Sequence, residues 1–235
     1  MNHQEKISAF RAAFPHTLPI FAGFLFLGGA YGIYMNSLGF HPIYPILMSL
    51  FIFAGSMEFV AGGLLLATFN PVSALVLTLM VNARHLFYGL SLLEKYSSVG
   101  KKKGYLIYGL CDESFSISQA TNVPKGIDKG WFFFFITLLN HCYWVLGSAL
   151  GSIFGSFITF STEGIEFVMT ALFVVIFMEQ WKKGKQYHSA LIGIGFSSIS
   201  LFVFGPNSFI IPAMILILAV LTLIRKPVQK AEVTT

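Results

Sequence analysis

Residues 42–68 read PIYPILMSLFIFAGSMEFVAGGLLLAT, twenty-seven residues with one formal charge, Glu58. A spanning helix needs roughly 20 mostly apolar residues, so this stretch is longer than one crossing requires. Gly55-Ser56 interrupts it near its middle. A Gly-Ser pair at that depth predicts a broken helix, and unwound backbone is tolerated inside a bilayer only against protein or a watery cavity. The freed N–H and C=O groups can meet a zwitterionic ligand. Glu58 follows directly, placed either to exchange a proton or to bind an amine.

The rest of the chain is of the same kind. Of its 235 residues, 55% are hydrophobic and 11% charged, with a mean hydropathy of +0.74. Soluble domains carry about a quarter charged residues, so the composition predicts an all-α polytopic membrane protein of seven or eight hydrophobic helical segments. They fall at residues 18–35, 42–68, 72–93, 105–120, 131–160, 164–178, 189–204 and 209–224, and residues 1–235 read as one transmembrane domain. Residues 1–16 hold Glu5, Lys6 and Arg11 and no apolar run, unlike a cleavable signal peptide. Cys111 and Cys142 both lie within apolar segments, where neither a disulfide framework nor a metal site is expected. The net charge of +5 comes from lysines flanking apolar segments, as loop anchors do, and does not suggest nucleic acid.

Lys and Arg concentrate on the cytoplasmic side of membrane proteins, which tests the topology. If every segment spans, with the N-terminus inside, Lys95, Lys101, Lys102 and Lys103 fall outside. If residues 42–68 and 164–178 both fold back as re-entrant half-helices, only Lys125 and Lys129 do. A paired irregularity of this kind points to an internal duplication. Glu58-Phe59-Val60 with Leu64 recurs as Glu166-Phe167-Val168 with Leu172. Residues 18–93 and 131–204 would then be inverted repeats, with 105–120 and 209–224 as additional helices.

Charge at bilayer depth costs at least ~2.5 kcal/mol per residue, so buried charges pair and mark functional sites. On the third segment Arg84, His85 and Tyr88 share about 100° of helix surface, with Asn82 a further ~60° around. On the fourth, Asp112, Ser116 and Gln119 form one stripe at i, i+4 and i+7, with Glu113 beside it. Arg84 is expected to pair with Asp112, Glu113 or Glu58. The pair either orients helices or lines a cavity. Gly55, Ser56, Glu58, Asn82, Arg84, His85, Tyr88, Asp112, Glu113, Ser116, Asn140, Trp144 and Glu166 are the candidate substrate-binding or proton-coupling residues. Gly147, Gly151 and Gly155, at four-residue spacing, predict close helix packing.

Several blocks together resemble the AzlC family. They are Ser49 with Phe53-Ala54-Gly55-Ser56-Met57-Glu58-Phe59, Asn82-Ala83-Arg84-His85-Leu86-Phe87-Tyr88-Gly89, and Cys111-Asp112-Glu113-Ser114-Phe115. Trp144 with Gly147 and Gly151, and Gly164-Ile165-Glu166-Phe167 with Ala171 and Phe173, continue the series in the family's order. The resemblance implies the large subunit of a bacterial branched-chain amino acid exporter in the cell membrane, with valine, leucine, isoleucine and methionine as substrates. It also implies proton coupling and a small AzlD-type membrane subunit. Many members carry Gln where this chain has Glu58. An uncoupled channel, or an exporter of other small amphipathic metabolites, is the alternative. No cofactor is implied. The chain has no His-Glu-x-x-His zinc motif and no Gly-x-Ser-x-Gly elbow, so an enzyme is not expected.

Overall fold

The computed structural model describes residues 3–68, 70–82, 84–155, 157, 164, 167, 170–171, 174, 178, 187–205, 209, 212–213 and 215–223. It is helical, with no strand among the described residues. The chain divides into two compact units, Met1–Thr170 and Ala171–Thr235.

In the first unit, α1 (His3–Ser37) and α8 (Lys129–Gly155) are each long and apolar enough to cross a membrane. The first apolar segment was expected from residue 18, but α1 begins at His3. Nothing in the polar residues before Pro15 stops a helix, and Ala9 and Ala13 are fully buried. The two long helices run parallel. Lys6 Nζ lies 4.9 Å from the Trp131 ring centroid at one end, and Asn36 Nδ2 donates to Ser152 O over 2.7 Å toward the other. Between these ends Gly28 and Gly32 face Gly147 and Gly151. A Cβ on Gly28 would stand 2.9 Å from Ser148 N, and one on Gly151 would overlap the Gly29 backbone. Lipid tails are as apolar as leucine, so this backbone-to-backbone approach supplies dispersion where no hydrophobic drive exists.

Residues 42–68 form α2 (Ile43–Phe51) and α3 (Gly55–Leu66). The chain breaks at 52–54, just before the Gly-Ser pair, and Phe53 sits at φ 47°, a left-handed backbone that side chains disfavour. Gly55 instead opens α3, where a Cβ would stand 3.0 Å from the Trp144 ring. Its role is close approach to the indole. The α2/α3 pair enters and leaves at the same end. Phe40 N donates to Met35 O over 3.1 Å at its start, and Gly62 near its finish abuts Tyr34, Met35 and Leu38. Its tip reaches α8 at mid-length, where His141 Nε2 lies 3.2 Å from Leu50 O.

The third segment is α4 (Pro71–Asn82) followed by α5 (Arg84–Leu92), bent by 51°. It ends beside α8's beginning, where Tyr96 packs on Phe133 with ring centroids 5.4 Å apart. A 3-10 turn at Gly100–Lys102 leads into α6 (Lys103–Tyr108) and, after a break, α7 (Asp112–Ala120). The fourth segment, read as one membrane helix over 105–120, is therefore a second hairpin. Lys95 Nζ donates to Gln119 O (3.3 Å) and Thr121 O (2.9 Å) at its finish. Lys102 Nζ, at its start, lies 3.7 Å from Asp128 Oδ1 and 4.5 Å from the Trp131 ring centroid. Both arms thus meet the membrane at the Trp131 end. Helices of six and nine residues reach only about 9 and 14 Å, against a hydrocarbon core of about 30 Å.

Two hairpins consequently enter from opposite ends and meet tip to tip. Tyr108 Oη donates to Leu50 O over 3.1 Å, and the Phe53 ring approaches Gly109. Each hairpin is followed by a spanning segment, so residues 43–92 and 103–155 repeat one pattern in opposite senses. Lys125 and Lys129, expected opposite the Lys95–Lys103 cluster, lie at the same end as it. The repeat half 131–204, the re-entrant reading of 164–178 and most of the Glu166 echo extend into residues outside those described. In the second unit, α9 (Tyr187–Phe204) is helical, as are residues 215–223.

Candidate functional site

Three half-helix N-termini present polar side chains at mid-depth: Ser56 on α3, Arg84 on α5 and Asp112 on α7. Arg84 Nη2 pairs with Asp112 Oδ2 at 2.9 Å and donates to Ser56 Oγ over 3.2 Å. Tyr88 Oη donates to the other carboxylate oxygen, Asp112 Oδ1, over 2.6 Å. Asp112 is therefore the carboxylate that Arg84 selects. A cation at an N-terminus opposes the helix dipole and a carboxylate favours it, so Asp112 at the start of α7 is settled while Arg84 at the start of α5 requires a counter-charge. The network ties both hairpins to the bent span. Its ion pair remains accessible, with Arg84 31% and Asp112 27% exposed. Glu113 is half-buried in the same first turn of α7, while Ser116 is exposed. Ser114, which the polar stripe did not include, accepts the Cys111 N–H over 2.8 Å and caps the helix.

Glu58 belongs to a second, sealed cluster. It is 0% exposed and accepts the Trp144 Nε1–H at 3.1 and 3.2 Å and the Ala54 N–H at 2.9 Å. Trp144 stacks with Tyr31 (centroids 6.1 Å, planes 16° apart) and meets Phe24 edge-on at 5.5 Å. A carboxyl without water must be hydrogen-bonded, and these donors satisfy one face of it. Asn140 lies one turn before Trp144 on α8, fully buried, with no hydrogen-bond partner for either amide atom among the described residues.

A cavity of ≈ 400 Å³ lies beside the ion pair, walled by the α2/α3 break, the α4/α5 span and α6. Its lining is mostly apolar, with Thr78, Asn82, His85, Tyr96, Lys103 and Tyr108 as its polar groups. Asn82 Oδ1 is buried without a hydrogen-bond partner among the described residues. His85 Nδ1 lies 3.1 Å from Asn82 O, and its ring meets that of Tyr88 at 5.5 Å. His85 thus borders both the cavity and the ion-pair network. Phe53, Gly89 and Ile107 also line the cavity. Sequence reading did not place them among the site residues, because an apolar residue carries no mark of which face meets lipid and which meets a void. Glu166 lies outside the described residues. Gly147 and Gly151 pack on α1, and a Cβ on Gly155 would stand 3.1 Å from Asn36 Nδ2.

The family model described as AzlC protein matches residues 19–158. The chain is 67% identical over 235 residues, covering all of it and 92% of the relative, to the branched-chain amino acid transport protein AzlC of Bacillus subtilis. It is 52% identical to an uncharacterized membrane protein of Haemophilus influenzae, over 94% of this chain and 91% of that one. With the inner membrane protein YgaZ of Escherichia coli the identity is 27%, over 75% of this chain and 76% of that one. No solved structure matches. On the family match and the full-length identity, the chain is a membrane protein belonging to the AzlC family.

Proposed function

We propose that this chain is a secondary transporter of the bacterial inner membrane that exports branched-chain amino acids, valine, leucine and isoleucine, with methionine as a further substrate. The observation carrying the reading is its 67% identity to a relative named as a branched-chain amino acid transport protein. The site's chemistry supports it. A zwitterion carries the same two charges as the Arg84–Asp112 pair and can exchange with it, its carboxylate on Arg84 and its ammonium on Asp112. No net charge is then buried, while the aliphatic side chain enters the cavity beside His85. Glu58, sealed by Trp144 and Ala54, is the candidate carrier of the coupling proton.

The orientation we propose rests on charge. Lys6, Arg11, Lys95, Lys101, Lys102, Lys103, Lys125 and Lys129 gather at the Trp131 end. Of the basic residues up to 155, Arg84 alone lies elsewhere. The positive-inside tendency supports a cytoplasmic location for that end and for the N-terminus, with the 103–120 hairpin on the side from which an export substrate would enter. A small AzlD-type subunit as partner rests on the family resemblance. The test is to feed cells a valine-containing dipeptide and follow internal and external valine with and without this chain and its small partner. Export predicts lower internal and higher external valine when both are present. Equal internal accumulation in the two strains would reject it.

A further inference from the structure

Gly89 lies on α5, on the wall of the ≈ 400 Å³ cavity. Glycine weakens a helix interior, so its presence there asks for a cause. At Gly55, Gly28 and Gly151 the cause is contact: the Trp144 ring stands 3.0 Å from a Cβ on Gly55, and backbone blocks one on Gly28 and Gly151, whereas Gly23, Gly29, Gly63 and Gly104 meet nothing within 4 Å but do not line the cavity. At Gly89 a Cβ would meet nothing within 4 Å, and the residue is not among the positive-φ glycines. Neither packing nor backbone conformation requires it. What its missing side chain leaves is space inside the cavity.

The cavity also has a polarity. Asn82 and His85, with the unwound backbone at Phe53-Ala54, border it near the helix breaks; Gly89, Leu92 and Leu93 line the stretch beyond, with Tyr96 and Lys103 at the basic end. A ligand with a charged head and an aliphatic tail would set its head at the breaks beside Arg84 and Asp112 and its tail along Gly89. We infer that Gly89 sets the length of the aliphatic side chain that the site accepts, an inference resting on the reading of this cavity as the amino acid site. Valine and leucine differ there by one methylene, and apolar pockets distinguish one methylene by about tenfold or more.

The experiment is counterflow of labelled valine and leucine in proteoliposomes holding the full-length chain with its small partner. Wild type is compared with Gly89→Ala, Gly89→Val and Leu86→Ala. Side chains grown at position 89 fill the tail space, so the leucine-to-valine ratio falls, by about tenfold for Gly89→Val and by less for Gly89→Ala. Leu86→Ala removes a lining side chain and raises the ratio. Alanine strengthens a helix relative to glycine, so Gly89→Ala keeps the test valid if the valine variant folds poorly. Wild type that carries both substrates, with ratios unmoved in the Gly89→Ala and Leu86→Ala proteins, overturns the inference and leaves the functional reading intact. Wild type that carries neither overturns both.

Discussion

Arg84 and Glu58 were both legible as buried charges, but their surroundings give them different work. Arg84 faces a half-exposed carboxylate that a ligand can replace, whereas Glu58 is closed in by an indole and a backbone N–H. Glu58→Gln keeps an oxygen to accept from Trp144 and Ala54 but has no proton to trade. In proteoliposomes it should retain valine counterflow and lose proton-driven accumulation. Full accumulation by Glu58→Gln would remove Glu58 from the coupling. Asp112→Asn strips the counter-charge from Arg84. We expect a lower thermal midpoint, corresponding to about 1.5–3 kcal/mol for a hydrogen bond to a charged group, and weaker substrate binding in counterflow and accumulation alike. Sequence listed three carboxylates for Arg84. Choosing among them needed the tertiary fold, because all three lie in the first turn of a half-helix and only the packing brings Asp112 to 2.9 Å from Arg84.

At the scale of elements, the long helices and the hairpins differ in how they are held. α1 and α8 meet through backbone at Gly28, Gly32, Gly147 and Gly151, whereas the hairpin tips meet through single side-chain contacts such as Tyr108 on Leu50. Gly151→Val should therefore lower the thermal midpoint in detergent by the upper end of the ~1–3 kcal/mol typical of overpacking. Gly23→Ala, where a Cβ meets nothing within 4 Å, should leave it unchanged. Equal midpoints for the two variants would mean that the α1/α8 seam is not the scaffold. The hairpin at 103–120 makes a topological prediction of its own. With Cys111 and Cys142 replaced by serine, single cysteines at Lys101 and Lys125 should label from the same membrane face, and those at His41 and Asn70 from the opposite one. Lys101 and Lys125 labelling from opposite faces would restore residues 105–120 as a crossing.

For the whole first unit, two hairpins entering from opposite ends and meeting beside α8 leave a cavity that neither hairpin encloses alone. Much of this was readable beforehand. The apolar composition decided a helical membrane protein, Gly55-Ser56 marked a break within two residues of its place, and the polar stripes on the third and fourth segments named the residues that meet. Hydropathy depends only on which side chains are present, so it follows from sequence directly. It cannot tell a crossing from a return, because both bury the same kind of residue. That is why 105–120 read as a membrane helix and why Lys125 and Lys129 stood as exceptions to the charge count. Only the tertiary structure decided that this segment turns back, that Asp112 is the partner of Arg84, and that Gly89 faces open space. Each of these depends on which surfaces come together across the fold, and spacing along one helix carries no record of what stands opposite it.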